Sequence, residues 1–256
     1  MLLTDGNPNT TTDLTVYESA ILNVAATEAI DLGVKLGLAT EEITEDVLNI
    51  LLDHTRSYDP QSTLRRQIGV SDVVVSPQMM RWHALHTLAI VYRDAFNNQL
   101  NDRYLPKWTE YQKLSANARE HTIKLGIGLV YAPVPAAQTP VLSTAIAAGT
   151  TDTVYYVAAT WVAANGQEGA PSPVTTYETG AGTTLVVQGV NPPGLATGFN
   201  VYMGLNSTSL TLQNASPVGT AQYFVLPGSG LTTGTPMGNG QAAQIYITGG
   251  PMLRRG

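Results

Sequence analysis

The chain has no cysteine among its 256 residues, which excludes disulfide bonds and thiol chemistry. Charged residues are also scarce, at 12%, about half of the usual share in globular proteins. No stretch approaches the roughly 18 apolar residues of a membrane span, and the opening residues MLLTD contain no basic region followed by an apolar run. We therefore expect a soluble protein without a secretory signal, made in a cytoplasm.

The few charges are distributed unevenly. Of the 32 charged residues, 27 precede residue 133. Glycine and proline are distributed the other way, with 6 glycines and 4 prolines before residue 133 and 18 glycines and 11 prolines from there on. The net charge of −6 divides into −5 for residues 1–132 and −1 for residues 133–256. This balance argues against nucleic-acid binding, because a nucleic-acid-binding surface needs clustered Lys and Arg. The sequence predicts an α+β protein of two domains. They comprise an arm at 1–12, a helical domain at 13–130, a Pro-rich linker at 131–142, and an all-β sandwich at 143–256.

Hydrophobic spacing predicts the helices. One helix is expected to begin after an N-cap at Asp13, a second to cover about 28–38, and a third to begin at a Thr40 cap. The strongest prediction is a helix that begins at Ser76-Pro77, because Ser suits the cap and Pro the first helical position. A last helix is expected to run from about Tyr104 to Gly126. The insert at 57–76 interrupts this pattern and contains the apolar triplet Val73-Val74-Val75.

Beyond residue 142 the hydrophobic pattern changes from that of helices to that of β-strands. Residues 154–162 are rich in β-forming residues and are followed by the hairpin turn Asn165-Gly166. Further strands are expected near 173–178, 183–189, 198–203, 211–213, 221–225 and 243–248. Many short strands separated by close turn signals are typical of a sandwich.

The residues that could carry chemistry favour packing roles. His83 and His86 have a spacing that suits two metal ligands, but Asp94 is too far along the helix to be the third. His54 and His121 are isolated. The acidic pairs Glu41/Glu42 and Glu45/Asp46 lie near a predicted helix start, where the helix dipole stabilises them. No hydrolase elbow or P-loop occurs, so we expect no enzyme, no cofactor and no metal. The expected core anchors are Trp82, Trp108 and Trp161.

Two segments of the second part resemble the fibronectin type III family. Residues 155–179 (YYVAATWVAANGQEGAPSPVTTYET) resemble the last hairpin of that fold, with its Tyr-bearing strand and its A-x-N-x-x-G turn. Residues 185–204 (LVVQGVNPPGLATGFNVYMG) resemble its early strands. The late hairpin comes first here, so the resemblance implies a permuted or Ig-like sandwich.

The first part resembles the helical head–tail adaptor (connector) proteins of tailed bacteriophages. The resemblance covers about residues 13–131 and lies mostly in 76–104 (SPQMMRWHALHTLAIVYRDAFNNQLNDRY). It implies a homo-oligomeric ring, usually twelve-fold, in the virion neck, made in the host cytoplasm. Such a ring binds the portal protein and a downstream tail or neck protein, while DNA passes through its lumen without sequence-specific binding.

The insert is the predicted contact surface of that ring. We expect Arg65, Arg66, Val73, Val74 and Val75 to lie against a neighbouring subunit or the portal, because the valines are apolar and the arginines suit carboxylates. The alternative is a phage surface or tail binding module. In that alternative the sandwich recognises glycan or a host surface, and the helices only trimerise it.

Overall fold

The computed structural model describes residues 1–56, 68–99 and 102–248. It has helices in the N-terminal half and antiparallel sheets in the C-terminal half, as the predicted α+β fold class requires. The chain divides into two compact units. The sandwich unit contains residues 1–5 and 132–242, and the helical unit contains residues 6–131 and 243–256.

The first helices begin earlier than predicted. Helix α1 (Thr11–Tyr17) is capped by Thr10, and Asp13 is its third residue. The backbone N–H of Asp13 donates to the Thr10 hydroxyl (3.3 Å), and that of Thr10 donates to the Asp13 carboxylate (2.7 Å), which completes a capping box. The chain then breaks at Glu18, and a separate helix α2 (Ile21–Thr27) follows. The prediction of one helix from Asp13 was therefore wrong.

Helix α3 (Leu32–Arg56) replaces the two helices predicted between residues 28 and 56. The cap is Asp31, whose carboxylate accepts from the backbone N–H of Gly33 (2.8 Å) and Val34 (3.2 Å). Thr40 lies inside the helix, where its hydroxyl donates back to the Leu36 carbonyl (3.0 Å). A threonine followed by two glutamates has the composition of a helix start, but here the tertiary contacts of Thr40 hold it within a longer helix.

The last two helices of the helical unit, α4 and α5, agree with the sequence prediction. Helix α4 (Pro77–Gln99) begins at Ser76, whose hydroxyl accepts from the Met79 N–H (3.2 Å). Helix α5 (Leu105–Leu125) ends at Gly126, which has a φ of 101° that favours glycine. Each helix therefore begins or ends where local backbone chemistry requires it.

A three-stranded antiparallel sheet completes the helical unit. Its strands are β1 (Val73–Val74), β2 (Ile127–Leu129) and β11 (Ile245–Ile247), in the order β1-β2-β11. Strand β2 was not predicted, because three residues after a helix give no usable periodicity. Strand β11 was predicted as a strand but was assigned to the sandwich, whereas it pairs with β2 in the helical unit.

The sandwich unit contains two antiparallel sheets that share one core. Its strands are β3 (Val141–Ile146), β4 (Thr153–Ala163), β5 (Thr175–Thr179), β6 (Thr183–Gln188), β7 (Ala196–Gly204), β8 (Thr211–Leu212), β9 (Val218–Gly219) and β10 (Tyr223–Val225). One sheet has the order β10-β6-β3, and the other has the order β5-β4-β7-β8, with β9 paired to β7. Trp161 and Phe199 meet edge to face at 5.9 Å between ring centres in the core. Gly189 has no room for a side chain, since a Cβ there would lie 2.7 Å from the Trp161 ring.

The unit boundaries differ from the predicted domain boundaries at both ends of the sandwich unit. Residues 1–12 do not form an arm, because Leu2 and Leu3 are buried and residues 1–5 belong to the sandwich unit. The predicted linker at 131–142 contributes Val134 and Ala137 to the sandwich core and contains the start of β3. The three prolines of this segment indicate extended backbone. A segment packed into a core and a free linker can both have extended backbone, so the prolines alone do not distinguish them.

Removal of β11 should destabilise the helical unit. A chain that ends at residue 242 leaves β2 without one partner and uncovers the buried side chains of Ile127 and Leu129. We expect the free energy of unfolding of the helices to fall by about 2–4 kcal/mol, the scale of losing a buried aliphatic side chain. Urea denaturation followed by far-UV circular dichroism measures this. A chain that ends at residue 248 keeps β11 and is the control; equal midpoints for the two truncations would contradict the assignment of β11.

Candidate functional site

A cleft of about 450 Å³ lies between α3, α4 and α5 of the helical unit. Its floor is apolar and its rim carries both signs of charge, the usual composition of a contact or ligand site. Small residues make the space, since Ala89 and Ala116 face the gap between the larger side chains. The lining residues are Glu42, Ile43, Asp46, Trp82, His86, Ala89, Ile90, Arg93, Trp108, Gln112, Ser115, Ala116 and Arg119.

A hydrogen-bonded chain crosses one wall of this cleft. His86 Nδ1 lies 3.1 Å from the Ser115 hydroxyl, and His86 Nε2 lies 2.6 Å from the Glu42 carboxylate. The three side chains come from α4, α5 and α3, so the histidine connects three helices. No local sequence pattern reveals this set, because Ser115 and Glu42 are 29 and 44 residues from His86 and Ser115 lies in no distinguishing motif.

The same order of groups activates serine in hydrolases, but the surroundings of Ser115 do not suit that chemistry. An acyl-transfer site needs hydrogen-bond donors that converge beside the nucleophile. Ser115 is buried in the interior of α5, where the backbone N–H groups are used by the helix. The neighbouring Arg119 is held by Asp46 in a two-bond ion pair (2.7 and 3.2 Å). We interpret the chain of three residues as a polar link between helices.

His83, the other histidine considered as a metal ligand, is fully buried and contacts Asn9 in the segment before α1. Its Nδ1 lies 2.9 Å from the Asn9 side-chain amide, which also donates to the Met80 carbonyl (2.7 Å). An amide N–H₂ can only donate, so Nδ1 accepts and Nε2 carries the hydrogen. That nitrogen lies 2.9 Å from the Thr40 hydroxyl and 3.1 Å from the Leu36 carbonyl. Burial lowers the pKa of His83 from 6.5 to about 4, opposed by the Leu36 carbonyl and assisted by nearby His86.

The buried His83 should make the helical unit sensitive to mild acid. The unfolded chain binds a proton at this residue near pH 6.5 and the folded chain only near pH 4. The contribution to stability is therefore complete above pH 6.5, and up to about 3 kcal/mol is lost as the pH falls to 4. Urea midpoints measured from pH 7.5 to 4.5 should fall more steeply for the native chain than for His83→Gln. His121→Gln, at an exposed position of α5, is the control; a slope unchanged by His83→Gln would refute this role.

The two histidines and the acidic pairs thus have separate partners. No group of three side chains that could hold a metal ion occurs among the described residues. The acidic pairs are divided between two sides of α3. Glu42 and Asp46 bind His86 and Arg119 in the cleft, while Glu41 and Glu45 face solvent. The side chain of His54 lies outside the described residues.

The predicted contact residues are only partly located. Arg65 and Arg66 lie outside the described residues. Val73 and Val74 are buried in β1, paired with β2 of the same chain, and Val75 is half-buried. The apolar triplet does need a partner, but the chain supplies that partner itself. The prediction that Val73 and Val74 face a neighbouring subunit was therefore wrong.

The three tryptophans occupy apolar surroundings to different degrees. Trp82 and Trp161 are buried, as predicted for core anchors. Trp108 is half-buried, stacks on Phe96 at 5.5 Å between ring centres, and lines the cleft. It is therefore a wall of the cleft as well as a packing residue.

The sandwich unit uses one of its few charges internally. A carboxylate oxygen of Glu168 accepts from the Tyr202 hydroxyl (2.8 Å), the Asn200 amide (3.2 Å) and the Thr160 hydroxyl. Burial, followed by the bond to Glu168, raises the pKa of Tyr202. This carboxylate joins β4 to β7 on the face of the sheet opposite Trp161, which is a structural role.

A scan against protein-family models finds no match, and no curated protein has significant sequence similarity to the chain. None of the described helices combines the length and the apolar character needed to cross a membrane.

Proposed function

We propose that this protein is a structural component of a tailed-bacteriophage virion, a head–tail adaptor that forms a ring between the portal and the tail. The single observation that carries the proposal is the apolar surface of the helical unit. Large apolar side chains of α1, α2 and α3 face solvent, among them Val16 (83% exposed) and Val34 (60% exposed). A continuous apolar patch is uncommon on monomers and marks a contact with another protein, and we propose that these side chains form such a patch.

Two further features support a ring. The helix order of residues 13–131, with an insert before a long helical hairpin, is the order that the adaptor resemblance implies. The acidic balance of the chain also suits a conduit that must not hold DNA, because phosphates are repelled rather than bound. A ring is the closed form of a head-to-tail interface, in which each copy presents two different surfaces.

The adaptor proposal is tested by locating the protein. Virions that carry an epitope-tagged copy should bind gold-labelled antibody at the neck, and native mass spectrometry of neck complexes should give a large ring, expected to be twelve-fold. Free protein can stay monomeric until the portal templates assembly, so the mass of free protein is not the test. Label on the capsid surface or at the tail tip, or a neck complex without this protein, would contradict the proposal.

A second candidate function rests on the sandwich. The outer face of the sheet β10-β6-β3 is uncharged and open, and register places the side chains of Val141, Tyr223 and Val225 on it, with Tyr223 64% exposed. An exposed aromatic side chain on an uncharged sheet face suits the apolar face of a sugar ring. This observation favours the alternative of a trimeric module that binds glycan or a host surface.

The second candidate makes its own prediction. The protein should be a trimer and should bind a glycan array, and Tyr223→Ala should reduce that binding at least tenfold because the stacking surface is lost. Leu195→Ala removes an exposed apolar side chain in the turn before β7 and is the control. Absence of glycan binding by a chain that is located at the neck would rule this function out.

A further inference from the structure

Strand β3 is an edge of the sandwich unit that no other described strand covers. It pairs along its whole length with β6, and only on that side. It contains no charged residue, proline or bulge, which are the features that usually protect an edge strand from further pairing. The other described edges differ, because β5 contains Glu178, β8 is bonded to residues 235–237, and β1, β9, β10 and β11 have only two or three residues.

Alternate residues of β3 direct their backbone groups away from the sheet. The Ala147 N–H donates to the Gly182 carbonyl (2.8 Å), and on the other side of β6 the Leu226 N–H donates to the Leu185 carbonyl (2.9 Å). In an antiparallel ladder a residue directs both of its backbone groups to one side, and the side alternates along the strand. The register of β3 on β6 then places the odd-numbered residues of β3 toward β6. The outward N–H and C=O groups, which bond no other described residue, belong to Leu142, Thr144 and Ile146.

The side chains of the same three residues are covered only at one end. Leu142 packs against the sandwich core, so alternation places Thr144 and Ile146 on the core-facing side of β3 as well. Thr144 is nevertheless exposed, and Ile146 is 95% exposed. The opposite sheet therefore does not reach the last residues of this strand, and a large apolar side chain on its inner side lies in water.

The pattern of this edge is complementary to itself. When two copies of β3 pair in antiparallel fashion with Thr144 opposite Thr144, Leu142 of each copy lies opposite Ile146 of the other. All three pairs then join outward backbone groups, and about six hydrogen bonds form because each such pair exchanges two. Electrostatic repulsion is small, since β3 has no charge and residues 133–256 have a net charge of −1.

We infer that β3 pairs with β3 of a second copy of this chain about a two-fold axis at Thr144, which joins the β10-β6-β3 sheets of two sandwich units into one continuous sheet. Ile146 is then covered by Leu142 of the second copy. A two-fold contact joins two copies and then stops, so this pairing is separate from the head-to-tail contact of the proposed ring and does not depend on it. One strand pair is a small interface, so we expect a reversible dimer with a Kd on the order of 10 μM.

Cysteine cross-linking of the full chain tests the register. The chain has no cysteine, so a single substitution introduces the only thiol. Thr144→Cys places two thiols on directly opposite residues, whose Cα atoms are about 5.5 Å apart and within the span of a disulfide. Ser143→Cys is the control on the same strand, because its two copies are diagonal neighbours about 7–8 Å apart and beyond that span. With diamide as the oxidant, Thr144→Cys should form disulfide-linked dimers at least tenfold faster than Ser143→Cys. Equal rates, or no linked dimer from Thr144→Cys, would overturn the inference.

Placing a charge at the two-fold axis provides the second test. Thr144→Lys sets two ammonium groups opposite each other and should raise the Kd of the dimer at least tenfold, as measured by analytical ultracentrifugation over a range of concentrations. Thr176→Lys makes the same change at an exposed position of the edge strand β5 and should leave the Kd unchanged. Far-UV circular dichroism confirms that both variants fold. A native chain that is monomeric at ten times the expected Kd, or a Thr144→Lys variant that dimerises like the native chain, would refute the pairing.

Discussion

Each folded unit is completed by a short segment from the opposite end of the chain, and the rest of the structure depends on this constraint. Residues 1–5 close the sandwich unit, where the Asp5 carboxylate accepts from the Ala136 N–H (2.8 Å). Strand β11 closes the sheet of the helical unit more than a hundred residues after β2. Contacts so distant in sequence cost loop-closure entropy, so both units reach their final stability only when most of the chain is ordered.

Two glutamines hold the backbone where the chain passes from one unit to the other. In the sandwich unit, the Gln241 side chain accepts from the Val134 N–H (2.6 Å) and donates to the Ala132 carbonyl (2.9 Å). In the helical unit, the Gln244 side chain accepts from the Tyr131 N–H (2.8 Å), and its backbone N–H donates to the Leu129 carbonyl (2.8 Å). These side chains form hydrogen bonds with backbone groups of residues 131–134 that are not paired in a sheet. The proline-containing segment can therefore be packed without leaving buried backbone groups unsatisfied.

Local residue patterns predicted where α4 begins and where α5 ends. Contacts between residues distant in sequence determine the features that the sequence did not reveal. Ser76-Pro77 and Gly126 specify helix ends by backbone geometry alone, and their prediction was confirmed. Thr40 has the composition of a cap, yet its contacts with His83 keep it inside α3. Glu18, at which α1 ends, also has distant partners, because Lys107 and Tyr111 of α5 donate to its carboxylate. The partners of Val73 and the Glu42–His86–Ser115 link depend on such pairings, which no local pattern encodes.

The division of charge has a consequence for any assembly in which copies of this chain stand side by side. Residues after 132 carry a net charge of −1, so their copies can approach closely with little mutual repulsion, and their hydroxyl and amide side chains keep the surface hydrated. The residues before 133 carry −5, and crowding them raises the cost of every unpaired carboxylate. In the cleft that cost is already offset, since His86 and Arg119 bind Glu42 and Asp46. On the opposite side of α3 it is not, and the neighbouring leucines are exposed as well. The two sides of α3 therefore differ in electrostatics, because the carboxylates that face the cleft have cationic partners and the exposed Glu41 and Glu45 are screened only by solvent.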